Sequence, residues 1–414
     1  MSKTFFCHGR LLQDGGVLED AYVVLNHVPS EGRLELRDSV EAVGTMGDGR
    51  MPAPGEGDQV FDVTGCTLLP GLVDVNTRLD LHKDTPPYAY DELGVPYRTL
   101  ISFRHASEAL WEGVTTLRTA GMPDGIDLAL SQSYAKYLAQ GPELVTSGPQ
   151  YIAHGGLEHN VYGKKQCSGP DAFRGAARYE NSKGTRSMHL GVTGRPVARL
   201  GGEPELQMTG EEMDALICLG HASGKAVSAR AGGERAVRML AERGIDSIEQ
   251  GTGFSAGTAR LMAEKGVRYV PCLCAAEDRG AAFAAVRTAR ENGVTICMGT
   301  ALLPSEPMEG TVAAIRELEL LVQAGLTPLE ALNAATFAGA ALCGSAAAKG
   351  IVPGAPGDLL VVPGKPDEDI AAMRSIAAVY RHGRPVRSSL PGAGVVPFQV
   401  TTVLFPLAGG TQKF

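Results

Sequence analysis

Eight β-branched, apolar runs alternate with Ala/Leu/Glu-rich stretches of helical character. This pattern predicts a (β/α)8 TIM barrel with a small composite β-sandwich built from both ends of the chain. The alternation begins near residue 67, whereas residues 1–65 and the stretch after 348 carry short strand patterns punctuated by turn residues. A length of 414 residues with 44% hydrophobic content is enough to bury a large core, and α/β barrels of this size are common.

Taken in order, the chain opens on Met1–Arg10, which lacks the long apolar stretch of a signal peptide and reads as a first strand. The run Ala21-Tyr-Val-Val-Leu25 reads as another strand. The eight barrel strands are expected at Leu68–Arg78, Val114–Ala120, Glu143–Ser147, Arg186–Val192, Ala226–Ala231, Ser247–Gln250, Val267–Cys274 and Val294–Gly299. Helices are expected over Phe103–Glu112, Gly210–His221, Glu234–Arg243 and Met308–Ala324, where apolar residues recur at helical spacing. Strands return at Gly350–Val362 and Ser375–Val386, and a Pro- and Gly-punctuated tail with an apolar Val400–Leu407 stretch follows. The expected division is residues 1–66 with 349–414 for the sandwich and 67–348 for the barrel, whose active site belongs at the carboxyl ends of its strands.

A net charge of −8 argues against nucleic-acid or membrane-surface binding. No apolar run approaches the ~20 residues that span a bilayer, so a cytoplasmic location is expected. The eight cysteines form no CxxC pair. Gly155-Gly156 and Gly232-Gly233 are too short for a dinucleotide fingerprint, and no Walker motif or nucleophile elbow is present. No cofactor is expected.

Four stretches carry a family resemblance: Leu69-Pro-Gly-Leu-Val-Asp74, Glu112-Gly-Val-Thr-Thr-Leu-Arg118, Asp246-Ser-Ile-Glu-Gln-Gly-Thr252 and Gly354–Val362. They resemble the amidohydrolase superfamily over nearly the whole chain. The branch they look closest to holds imidazolonepropionase-like proteins and metal-dependent dipeptidases acting on Xaa-Pro and Xaa-Arg/Lys substrates. The resemblance implies one or two divalent metals, held by His-x-His on strand 1, a carboxylated Lys or Glu on strand 4, single histidines on strands 5 and 6, and Asp on strand 8. At those places this chain has Asn76 and Arg78, His189, Arg230, Gln250 and Ala301. A dimer is the family-level expectation.

A divalent cation needs lone pairs from imidazole, carboxylate or thiolate, and arginine offers only donors. No metal is therefore expected at the barrel centre. Arg78 and Arg230 point instead to a carboxylate or phosphate, bound in a guanidinium fork; the competing reading is that each arginine only pairs with a neighbouring acid. Asn76, Gln250 and Tyr151 join the expected substrate contacts. The segment Gln150–Asn160 resembles a substrate-contacting Gly-Gly-His-x-His loop of the family, and His154, His159 and His189 are expected to converge on the mouth as proton-handling groups. Cys272 and Cys274 are expected to alternate on strand 7, as buried residues or as a thiolate nucleophile. His82 and His105 lie within reach of the Pro- and Tyr-rich insertion Leu79–Thr99.

Three functional readings follow. The first is a metal-independent enzyme acting on a small anionic, peptide-like or heterocyclic molecule by cyclisation, condensation, elimination or hydrolysis, a setting natural to specialised biosynthesis. The second is an inactive relative that binds a ligand or scaffolds a partner. The third is a metal-dependent hydrolase whose site has moved to His82, His154 or His159.

Overall fold

The computed structural model describes residues 2–27, 39–80, 93–136, 138–156, 164–196 and 204–393. Strands β1 (Ser2–Gln13), β2 (Gly16–His27), β3 (Ser39–Thr45), β4 (Gln59–Asp62) and β5 (Cys66–Pro70) open the chain. The inner strands follow: β6 (Leu72–Thr77), β7 (Val114–Thr119), β8 (Glu143–Val145), β9 (Gln150–Ala153), β10 (Lys164–Cys167) and β11 (Ser187–Gly191). A hairpin of β12 (Thr193–Pro196) and β13 (Pro204–Leu206) precedes β14 (Ala226–Arg230), β15 (Ser247–Glu249) and β16 (Arg268–Val270). A second hairpin, β17 (Pro307–Met308) with β18 (Thr311–Val312), comes before β19 (Leu359–Pro363), β20 (Ala378–Arg381) and β21 (Arg384–Ser388).

Helices α1 (Val95–Trp111), α2 (Ile126–Ala135), α3 (Pro170–Lys183), α4 (Gly210–Ala222), α5 (Glu234–Glu242), α6 (Ala256–Lys265) and α7 (Arg279–Glu291) alternate with the inner strands. The helices α8 (Ala313–Gln323), α9 (Pro328–Ala334) and α10 (Phe337–Leu342) complete the set. Capping residues mark several starts. Thr209 and Thr327 form capping boxes with Glu212 and Glu330 at α4 and α9, and Ser255 and Asp278 cap α6 and α7.

The two chain ends pair through β5 and β19, antiparallel from Pro70↔Leu359 to Cys66↔Pro363. The terminal strands form one eight-stranded sheet in the order β21-β20-β19-β5-β1-β2-β3, with β4 added beside β1. The single run expected over Leu68–Arg78 is split at Gly71. Its first half belongs to the terminal sheet and its second half starts the inner one. Gly71 sits where any side chain would collide, because a Cβ there would lie 2.1 Å from Thr115 Oγ1.

The inner strands run parallel in two sheets, β6-β7-β8 and β10-β9-β11-β14-β15-β16. Main-chain bonds from Arg186 and Ser187 to Thr146 O link the sheets on one side. On the other, residues 294–301 bridge them without forming a regular strand: Tyr269 N meets Thr295 O, Val75 N meets Met298 O and Ala301 N meets Asn76 O. The expected strand over Val267–Cys274 is also shorter than its sequence suggested. Cys272 adopts a left-handed φ of 53° and Leu273–Ala275 form a 3-10 turn, so the two cysteines do not alternate on a strand. Both are buried.

Strand alternation divides two environments. Met188, Leu190, Val227, Ala229 and Ile248 pack into the main apolar core shared with the helices. Their neighbours His189, Ser228, Ser247 and Glu249 face the other way and are also buried. Among the described residues no helix is long and apolar enough to cross a membrane.

Candidate functional site

The inward faces of β6, β7, β11, β14 and β15 build one buried polar cluster around Glu249. Arg118, on β7 and 1% exposed, donates through its guanidinium to Glu249 Oε1, to Val75 O at 2.6 Å and to Ser247 Oγ at 3.3 Å. Asn76 Nδ2 donates to Glu249 Oε2 at 2.6 Å. His189 Nδ1 lies 2.9 Å from Ser228 Oγ and 3.3 Å from Glu249 Oε2. Burial pushes the Glu249 carboxyl above its usual range, with the Arg118 guanidinium opposing it. Both carboxylate oxygens take N–H donors, the arrangement a charged carboxylate requires.

His189 is held neutral. Burial pushes its pKa well below the usual imidazole range, and the positive charges of Arg118, Arg230, Arg78 and Lys164 push the same way. These cations arrive from separate elements. Lys164 on β10 pairs with Gln150 on β9, which pairs with His189 on β11. Arg230 ends β14 beside Gly191 and donates to Thr193 O at 3.3 Å. Arg78 follows β6, with Nη2 at 3.4 Å from both oxygens of buried Asp80.

Three inner-strand ends turn through left-handed backbone at non-glycine residues, Gln250 (φ 56°), Cys272 (φ 53°) and Ala301 (φ 53°). Each costs of order 1 kcal/mol, and two buried carboxylates help hold these turns. Asp74 accepts from Asn76 N, Thr300 N and Thr300 Oγ1 at 3.0, 3.2 and 2.6 Å, while Glu317 of α8 accepts from Leu273 N and Cys274 N, both at 2.7 Å. Burial raises both carboxyls to about 7 against these donors.

The structure brings Asn76, Arg78, His189 and Arg230 together, with Gln250 half-buried at the end of β15. The Asn76 amide is, however, engaged with Glu249. Tyr151 is a correction. It is 1% exposed within the main apolar core, on the helix-facing side of β9, because strand alternation turns Gln150 and Ile152 the other way. His154 is another, since it lines an outer groove of about 530 Å3 with Lys165, Cys167, Ala172 and Tyr179, between β10 and α3 and apart from His189. His82 and His159 lie outside the described residues. His105 is buried in α1, its Nδ1 2.7 Å from Leu79 O, a structural contact.

Sequence reasoning missed Arg118, Glu249, Ser228 and Lys164 as site residues. The first two stand inside the quoted motifs at inward register positions of inner strands. A charge at such a position was the available signal.

A catalytic zinc site takes three protein lone-pair donors and a structural one takes four. Here the strand ends present Asn76, Arg78, Arg230, Gln250 and Ala301, and the donors His189 and Glu249 are already bonded within the cluster. Among the described residues no three His, Cys, Asp or Glu side chains are grouped to hold a metal ion. This donor set does not fit a divalent cation.

The amidohydrolase family model matches residues 67–386. Uncharacterized proteins of Mycobacterium bovis and Mycobacterium tuberculosis are 29% identical over 315 residues, covering 70% of this chain and 78% of theirs. An Xaa-Pro dipeptidase solved with methionine in its active site superposes with a TM-score of 0.78 at 23% identity, over 93% of this chain and 99% of that one. A. niger ochratoxinase gives 0.79 at 20% identity, over 95% and 97%. At such identities the superpositions speak for a shared fold.

Two outcomes follow from the buried charges. Arg118→Met leaves Glu249 uncompensated and is expected to cost about 3–5 kcal/mol, with Arg118→Met/Glu249→Gln less destabilised than the two single losses added; a double-mutant cycle by urea unfolding measures both, and strict additivity denies the coupling. The second concerns pH. Carboxyls free in the unfolded chain titrate near 4, while Asp74 and Glu317 do so at about 7 in the folded protein. Over that interval the folded state binds more protons, so stability contributed by these groups is lost as pH rises. Between about pH 4 and about pH 7 the unfolding free energy is expected to fall more steeply, or rise less, in the unaltered protein than in Glu317→Gln; equal slopes contradict the assignment.

Proposed function

The chain belongs to the amidohydrolase family, and we propose that it is a metal-independent enzyme taking an anionic, amide-like small molecule at its strand-end site. One observation carries this reading. The barrel centre is occupied by an internal guanidinium–carboxylate pair, Arg118 with Glu249, tied on either side to Asn76 and His189. We read β6, β7, β8, β11, β14, β15 and β16, with residues 294–301, as the eight strands of a closed (β/α)8 barrel over residues 67–348, and the mouth as the carboxyl end of those strands.

Arg78, Arg230 and Lys164 supply positive charge around neutral His189. Guanidinium forks match carboxylate and phosphate geometry, and a partly buried setting strengthens their pull over what water would allow. The dipeptidase of the same fold was solved with an amino acid, methionine, in its active site, which supports a ligand carrying a carboxylate. Proton transfer at the ring nitrogen of His189 not bonded to Ser228 is the chemistry this set offers, serving hydrolysis, cyclisation, condensation or elimination.

A second reading, a relative that binds the ligand without turning it over, draws support from His189 itself, since an imidazole held well below its usual pKa is a weak base. Binding and turnover of N-acetylated amino acids separates the two. Arg230→Ala and Arg78→Ala are each expected to weaken binding about tenfold or more, the loss of one charge-assisted contact. His189→Gln is expected to remove turnover. Unchanged affinity in both arginine variants defeats the anion site, and binding without turnover in the unaltered protein selects the second reading.

A further inference from the structure

The hydrogen bonds around His189 fix more than its position. Nδ1 faces two oxygens, Ser228 Oγ at 2.9 Å and Glu249 Oε2 at 3.3 Å. Glu249 Oε2 already accepts from Asn76 Nδ2, and its other oxygen from Arg118, so toward His189 it can act only as an acceptor. The Ser228 hydroxyl has its own acceptor, Met188 O at 3.3 Å, which leaves an Oγ lone pair turned to the ring. A bare Nδ1 would set its lone pair against Glu249 Oε2 and draw the Ser228 proton away from Met188 O. Nδ1 must therefore carry the ring proton, and in a neutral imidazole Nε2 is then unprotonated. Nε2 makes no hydrogen bond among the described residues.

We propose that Ser228 and Glu249 are positioning residues that lock His189 in its Nδ1–H tautomer, so that the site takes an anion bearing an N–H or O–H donor beside its anionic group. The ligand half of this inference rests on the anion-receptor reading above, whereas the tautomer does not. The spacing supports the pairing. Arg230 lies on the same face of β14 as Ser228, two residues and ~6.6 Å nearer the strand end, and Ser228 is the register partner of His189. Residues 189 and 230 thus stand on adjacent strands, one strand repeat apart in backbone register, and a ligand held by Arg230 presents the group beside its carboxylate toward His189. A ligand offering only acceptors to Nε2 would leave two lone pairs facing each other in a desolvated place.

Nitrogen NMR of the full-length, histidine-labelled protein reads the tautomer without any ligand, and His189→Gln assigns the signal. The expected result is a protonated Nδ1 and an unprotonated Nε2 for His189; a proton on Nε2 overturns the inference. Ligand demand is read by titrating N-acetylglycine and its N-methylated counterpart, N-acetylsarcosine. The methylated probe is expected to bind about tenfold or more weakly, and to leave the Nε2 resonance unmoved where N-acetylglycine shifts it. Equal affinities overturn the donor requirement. If neither probe binds, the anion reading falls and takes the ligand half with it, while the NMR result alone still decides the tautomer.

Discussion

The Arg118–Glu249 pair governs the rest of the buried polar cluster on the inner strands. Both side chains are withdrawn from water, and neither charge is tolerable there without the other, since removing one partner from a buried pair costs about 3–5 kcal/mol. The pair is not isolated. Val75 O, Ser247 Oγ, Asn76 and His189 complete its donors and acceptors, so that β6, β7, β11 and β15 are tied through one carboxylate. A fully satisfied polar network of this kind fixes the register of the strands that contribute to it.

That network also bears on chemistry. In the scaffold this chain shares with its relatives, the strand ends are where reactive groups belong. Here a fixed guanidinium and further cations surround His189, which raises the cost of any added positive charge and lowers that of a negative one. His189 is shaped by the same field. Its neutrality follows from burial and four cations, and its orientation from Ser228 and Glu249.

Much of the fold was legible because periodicity reports burial. The alternation of strand and helix patterns located β7, β11, β14, β15, α4 and α5 within a few residues. It failed where local geometry overrides pattern. Gly71 divides an apolar run between two sheets because Thr115 packs against it. Cys272 leaves the strand through a left-handed turn that Glu317 supports from α8, a contact 44 residues distant in sequence. Tyr151, expected at the substrate, goes into the core because two-residue alternation on β9 turns it toward the helices. Of the candidate cluster, the strand positions of Asn76, His189 and Arg230 were legible, because each falls within or at the end of an expected strand. The partner that organises them, Arg118, lies inside a framework motif, and its role depends on a pairing across 131 residues that no local pattern reveals.

Zinc titration of the chelator-dialysed protein, followed by metal analysis and repeated on His189→Gln, tests the central claim most directly. No stoichiometric zinc is expected to survive dialysis, and no difference is expected between the two proteins. One tightly bound zinc per chain that disappears in His189→Gln contradicts it.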